Sequence, residues 1–200
     1  KETNNKAEKA LLICESPNKK ATLTQILKEL GYTNIVVNAS IGHICEIKNT
    51  GPYNIGLDID KDFSLDFQVS DDKKEVVKKL KEQVKNADKV YLASDPDREG
   101  EAISYHLKNF LKIPNTKYER VTFHEITQSA VKEALEHPRK IDMKLVDSAL
   151  ARAAADKIIG FRLSKLMQNK TEGKSAGRVQ SVALKLIVDR EREILAFVPK

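Results

Sequence analysis

The sequence holds only two cysteines, Cys14 and Cys45, and no Cys-x-x-Cys pair. That excludes reading a zinc ribbon or a disulfide framework from them, and each is expected as a small core residue. No apolar run approaches the ~18 residues that a membrane span requires. The first residues, KETNNKAEK, are polar where a secretory leader would carry an apolar core. A cytoplasmic location with no membrane partner is the resulting expectation. Internal repeats and low-complexity tracts are also lacking. The chain starts at Lys rather than Met and stops at AFVPK with no helix-ending or tail signal, so it reads as an excerpt from something longer.

What is present describes a soluble globular chain. Its 200 residues are 40% hydrophobic and 32% charged, enough for one sizeable domain and part of another. The formal charge of +6 is unevenly placed: residues 1–140 carry 23 Lys and Arg against 22 Asp and Glu, whereas residues 141–200 carry 12 against 7. The last third is therefore where a polyanion would settle, although a charge of this size also fits a merely solvated surface.

Along the chain, ALLIC (10–14) reads as a strand, and the following stretch has Leu23, Ile26, Leu27 and Leu30 at helical spacing with a stop at Gly31. NIVVNAS (34–40), KVYLAS (89–94) and YERVTF (118–123) read as further strands. KEVVKKLKEQVKNA and DREGEAISYHLKNFLK read as the helices between them. This alternation predicts an α/β fold with a parallel sheet flanked by helices. Residues 49–70 break the rhythm with Gly, Pro and alternating aromatics, and are expected as an inserted loop or hairpin. After about residue 140 the pattern becomes helical only, over 142–167 and again over 178–195, with a break at 169–177. On the last helix Val179, Val182, Ala183, Leu186 and Ile187 form one apolar face. The expected layout is a polar extension over 1–9, a domain over 10–140, and the start of an incomplete helical domain over 141–200.

Chemistry concentrates in ASDPDREGEAI (93–103), where Asp95, Asp97, Glu99 and Glu101 fall at every second position. Like charges so close repel and raise one another's pKa, so the arrangement calls for a partner, most simply a divalent cation. In parallel sheets ligands bind at the carboxyl ends of strands, and both Asp95 and Glu15 follow such ends. Helix capping by Asp95 before Pro96 would explain one or two of these acids, not four. An oxygen-rich cluster without neighbouring His or Cys suits Mg²⁺, which takes one or two carboxylates plus water and phosphate oxygens. Asp95, Asp97 and Glu99 are the candidate ligands. Mg²⁺ at such a site points to phosphate chemistry, and Lys19, near the start of a helix, could contact the same phosphate or be one more solvated lysine.

Six segments then resemble the bacterial type IA DNA topoisomerases, in the family's order: LLICESPNKKATL, SIGHI, ASDPDREGEAISYHL, RVTFHEIT, ARAAADKIIGFRLS and SAGRVQSVALKLIVDREREILAFVP. The Asp-x-Asp-x-Glu pattern alone would indicate only the Toprim fold; GEAI and SAGRVQS are far more specific. The resemblance implies a Toprim domain to about residue 140, then the start of a helical domain that holds single-stranded DNA. It also implies Mg²⁺-dependent relaxation of negatively supercoiled DNA, by transient cleavage of one strand through a 5′-phosphotyrosine link, carried out by a monomer.

Carried over by motif, Glu15 assists acid–base chemistry beside the scissile phosphate and Lys19 contacts that phosphate. His43, Arg98 and Arg120 belong to the same catalytic neighbourhood, and Asp95, Asp97 and Glu99 form the Mg²⁺ triad. Glu101 lies inside the motif. His124 stands where many members carry Asn and receives no role. Arg152 and Asp156 share a helix face at i, i+4, which alone would suggest an ordinary ion pair; the resemblance places them in the DNA groove. The second Arg that many members carry there is Ala153 in this chain. Ser175, Gly177, Arg178 and Gln180 open the last helix, where free N–H groups and a guanidinium would suit a phosphate.

None of the five tyrosines, Tyr32, Tyr53, Tyr91, Tyr105 and Tyr118, stands in the Arg-Thr context of the family's nucleophile. The chain alone is therefore expected to be inactive in relaxation. Competing readings are a Toprim nuclease that uses metal-activated water, and a non-catalytic nucleic-acid-binding module.

Overall fold

A computed structural model describes residues 8–51, 54–58, 61 and 63–199. Most of the polar extension and Tyr53 lie outside the described residues. The chain forms two compact units. One takes residues up to Glu46 together with Phe67–Leu150, and the other takes Ile47–Asp66 together with Ala151 onward.

The first unit is built on four parallel strands: β1 (Ala10–Cys14), β2 (Ile35–Ala39), β7 (Lys89–Ala93) and β8 (Tyr118–Arg120), in the order β2-β1-β7-β8. β1 pairs with β2 from Ala10↔Ile35 to Cys14↔Ala39, and with β7 from Ala10↔Lys89 to Cys14↔Ala93. Every residue of β1 is buried, because the sheet is covered on both faces, and this is why ALLIC is apolar throughout rather than alternating. Its side chains divide by parity. Leu11 and Ile13 join Val77, Leu80, Val90, Leu92, Ile103 and Leu107 in one core. Leu12 and Cys14 join Leu23, Leu27, Val37, Ala39 and Val131 in the other. Helices α2 (Lys74–Asn86) and α3 (Arg98–Phe110) supply the first core; α1 (Pro17–Glu29) and α4 (Gln128–Glu136) supply the second. The parallel α/β sheet read from the sequence is thus the fold observed.

Each helix start has a local cause. Ser16 caps α1 by accepting from the Lys19 N–H at 3.3 Å, with Pro17 in the first turn. Asp97 caps α3, accepting from the Gly100 N–H at 2.7 Å. The cap is therefore Asp97 rather than Asp95, two residues later than the Asp95-Pro96 pair suggested. Thr127 caps α4 in the same way. This helix was not read from the sequence, although a capping Thr precedes Val131 and Ala134 at helical spacing.

The inserted stretch contains an antiparallel hairpin of β4 (Leu57–Asp58) and β5 (Ser64–Leu65), and β3 (Cys45–Ile47) pairs with β6 (Phe67–Val69) in a separate two-stranded sheet. A turn of 3-10 helix, Asp71–Lys73, leads into α2. Two long helices complete the chain, α5 (Met143–Lys170) and α6 (Gln180–Ala196). The units divide at Leu150, inside α5, and residues 47–66 group with the helical part. No residue of α6 is buried. Among the described residues no helix is long and apolar enough to cross a membrane.

Candidate functional site

The carboxyl ends of β1 and β7 lie side by side, since Cys14 is in register with Ala93. Glu15 follows one end and Ser94-Asp95-Pro96-Asp97 follows the other, so the sheet brings together acids that are distant in sequence. The first turn of α1 carries Lys19 to the same edge, and its ammonium pairs with Asp95 Oδ1. The loop after β2 folds onto this edge as well. Ser40 N–H donates to the Cys14 carbonyl and Gly42 N–H to the Glu15 carbonyl, both at 2.9 Å. Ile41 and Gly42 have φ of 60° and 76°, and this left-handed turn sets His43 with its Nε2 3.7 Å from the Glu99 carboxylate. A cavity of about 510 Å³ opens here, lined by Lys19, Asp95, Asp97, Phe123 and His124 among others. His124, given no role in the sequence reading, therefore borders the same space as the acids.

The four carboxylates do not behave alike. Asp95 is half exposed and faces Lys19; Asp97 is exposed and turned onto the first turn of α3; Glu99 is half-buried beside His43. Among the described residues no three His, Cys, Asp or Glu side chains converge on one point that could hold a metal ion. The expected triad of Asp95, Asp97 and Glu99 is thus not an assembled cage: like charges diverge, and each finds a donor in the protein instead. The donor set itself suits a hard cation, being carboxylate oxygen supplied from a five-residue span. Arg98 lies exposed in the first turn of α3.

Glu101 departs from the other three, with a fully buried side chain. Its Oε1 accepts from Arg120 Nε at 3.0 Å and from Arg139 Nη2 at 2.5 Å, and its Oε2 accepts from the Asp142 N–H at 3.0 Å. Arg120 is equally buried. Besides Glu101, its guanidinium donates to the carbonyls of Leu92, Ser94 and Val121 at 3.1, 2.8 and 2.6 Å, and to that of Asp95 at 2.7 Å. Burial pulls it down to about 10, still charged at neutral pH. Arg120 is expected in the catalytic neighbourhood, and its donors are committed there to backbone carbonyls and to Glu101, so that it fixes the end of β7.

Packing under the loop is tight. Ser94 Oγ donates to the Gly100 carbonyl at 2.6 Å and meets Ser104 Oγ at 2.7 Å. A Cβ on Gly100 would lie 2.0 Å from the Asp95 carbonyl oxygen, so the loop rests directly on the α3 backbone. In the core behind, His106 is held between Phe67, Tyr105 and Phe110, with ring centroids 4.4, 5.4 and 6.3 Å away. Burial, assisted by His43, pushes it down to about 4.

The second unit gathers the other expected residues. Arg178 Nε and Nη2 donate to the two oxygens of Asp156 at 2.7 and 3.1 Å, and Arg152 Nε stands 3.7 Å from the same carboxylate. The Arg178 hydrogen bond draws the Asp156 carboxyl below its ordinary range. Arg178 was expected to offer its guanidinium to a phosphate; it is here engaged by Asp156. Gln180 Nε2 donates to Ser175 Oγ at 3.2 Å, and Gly177 N–H donates to Ser181 Oγ at 3.1 Å. That amide is therefore not free at the start of α6. Ser164 holds the same segment to α5, accepting from Ala176 N–H at 3.0 Å. A groove of about 990 Å³ lies on this unit, lined by Ile47, Ala153, Asp156, Lys157, Phe161 and Gln168 among others. Lys157 Nζ sits 4.7 Å from the Phe161 ring centroid and donates to Asn49 at 2.9 Å. Neither Lys157 nor Phe161 was singled out in the sequence, although both follow Asp156 on the groove-lining helix.

Residues 10–126 match the family model described as Toprim domain, and residues 140–200 match the one described as DNA topoisomerase. The chain is 46% identical over 193 residues to DNA topoisomerase 1 of Helicobacter pylori, which covers 96% of this chain and 25% of that protein. Its structure is similar to that of full-length topoisomerase I from Thermotoga maritima, with a TM-score of 0.79 and 42% identity, covering 95% of this chain and 31% of that one. The chain thus spans between a quarter and a third of the length of these relatives.

Proposed function

This chain belongs to the Toprim domain family, and from that premise we propose that it is the Toprim-bearing part of a bacterial type IA DNA topoisomerase. The whole protein relaxes negatively supercoiled DNA in the cytoplasm, as a monomer, by cutting and resealing one strand through a 5′-phosphotyrosine link. The observation that carries this reading is the meeting of Glu15, Lys19 and the Asp95–Glu99 loop at one carboxyl edge of a parallel sheet, followed in the chain by a DNA topoisomerase segment.

Each group has a role suited to its place. Lys19 offers an ammonium to the scissile phosphate, exchanging Asp95 for it. Glu15, half-buried at the end of β1, takes or returns the proton of the leaving oxygen. Asp95, Asp97 and Glu99 would hold Mg²⁺, whose chemistry when bound would be to orient the phosphate and offset its charge. His43 orients Glu99, and Arg98 reaches a neighbouring phosphate. On the second unit, Arg152, Asp156, Ser175, Gly177, Arg178 and Gln180 border the path of a single strand. Arg178 contacts a phosphate by releasing Asp156. The reactive tyrosine comes from chain beyond this span: Tyr118 is buried and Tyr105 packs on His106.

The test uses an end-labelled single-stranded oligonucleotide with Mg²⁺, denatured after incubation. A long form containing this chain is expected to cut and remain attached to the 5′ phosphate, and to lose cleavage with Asp95→Asn plus Asp97→Asn. The 200-residue chain alone is expected to bind, with affinity that falls steeply as salt rises, and not to cut. Cut DNA with free ends from this chain alone would replace the proposal with a nuclease using water as nucleophile.

A further inference from the structure

We propose that Glu101 and Arg139 are positioning residues: with Arg120 they form a buried charge staple that fixes the acidic loop and ties it to the start of α5. The inference rests on the functional reading for its purpose, but its geometry stands alone. Glu101 is the one acid of the motif turned wholly inward, and its two oxygens receive three donors from three separate places: Arg120 at the end of β8, Arg139 after α4, and the Asp142 N–H at the threshold of α5. Arg120 and Arg139 are themselves joined as a backbone bridge, each N–H donating to the other's carbonyl at 2.8 Å. Asp142 then caps the helix, its Oδ1 accepting from the Lys144 N–H at 2.9 Å. A single carboxylate therefore links the acidic motif to the lead-in of the long helix.

The staple also answers the charge problem in the motif. Two guanidiniums meet one carboxylate, so one positive charge remains. It lies directly under the loop, because the Arg120 guanidinium donates to the Ser94 and Asp95 carbonyls. That charge offsets crowding among Asp95, Asp97 and Glu99 and holds the backbone that bears them. Without the staple, the loop backbone would lose its Arg120 contacts and rest on the Asp97 cap, the Ser94 hydroxyl contacts and the side-chain pairs with Lys19 and His43. Replacing the wholly buried Arg120 or Glu101 endangers folding. Arg139, whose side chain is 37% exposed, is the position to vary.

The experiment follows amide hydrogen exchange by NMR in the 200-residue chain, together with binding of Mn²⁺ alone by electron paramagnetic resonance. In Arg139→Gln the amides of Gly100, Glu101 and Asp142 should exchange roughly tenfold faster, since a hydrogen bond to a charged, buried acceptor is lost. Those of Leu12 and Leu92 should stay unchanged. Mn²⁺ affinity should fall several-fold, and Arg139→Lys should restore most of both effects. Unchanged exchange at the loop, or equal acceleration at Leu12 and Leu92, would overturn the staple. If Asp95→Asn plus Asp97→Asn binds Mn²⁺ as the native chain does, the functional reading fails, while faster exchange of the loop amides in Arg139→Gln still supports the staple.

Discussion

Replacing Gly100 by Ala sets two effects of opposite sign against each other. Gly100 stands in the first turn of α3, and Ala at a helical position is favoured over Gly by about 1 kcal/mol. Against that, the new Cβ would stand 2.0 Å from the Asp95 carbonyl oxygen, 2.8 Å from its carbon and 2.9 Å from its nitrogen. These are backbone atoms, held from the other side by the Arg120 guanidinium, so they cannot swing away as a side-chain tip would. Overpacking of this kind costs about 3 kcal/mol at the upper end of the usual range. The clash wins by about 2 kcal/mol, which for a chain of this length lowers Tm by roughly 4–8 °C. Because relief requires the loop to lift, Mn²⁺ binding at the carboxylates should weaken along with stability. Circular dichroism melting of the variant beside the native chain measures the first effect, and metal titration the second. A Tm equal to or above the native value would refute the close seating of the loop on α3.

Arg120→Met should lower stability by about 3–5 kcal/mol in urea unfolding, because buried Glu101 loses one of its two guanidinium partners and four carbonyls lose their side-chain donor, and adding Glu101→Gln should recover part of the loss. His106 contributes a pH dependence. It is held to about 4 in the folded chain against an ordinary value of 6.5, so the unfolded chain binds more protons between those pH values. Stability should therefore fall as pH drops through that window, by up to about 3 kcal/mol, with no effect above it, and His106→Leu should flatten the curve. Burial raises the Cys14 and Cys45 thiols to about 11 and 12. Both should resist iodoacetamide at pH 8 in the native chain and react fully in denaturant, as read by mass spectrometry.

Much of the first unit could be read directly because its strands are buried on both faces, which writes them as short apolar runs such as ALLIC and KVYLA. The sheet edge that carries the site was legible for the same reason, since acids follow two of those runs. Glu101 was not separable from its neighbours by spacing alone. What distinguishes it is the side of α3 on which it falls, among Gly100, Ile103, Ser104 and Leu107, all buried. Arg139 left no signal, being one more cation in a basic chain. Arg120 illustrates a further limit: a motif can place an arginine near a site, but not say whether its donors face outward or into the backbone. The grouping of 47–66 with residues after 150 rests on contacts between segments far apart in sequence, which no local pattern encodes.

The placing of β1 within the sheet also governs how the chain is made. Its neighbour β7 begins roughly 80 residues later, which at ordinary synthesis speeds of about 5–20 residues per second leaves β1 without that partner for roughly 4–16 s. During that interval only β2 can pair with it, leaving one edge of an entirely apolar strand open. Emergence of β7, the acidic loop and Arg120 thus closes the open edge of β1, so the site and the sheet beneath it are completed together rather than strand by strand.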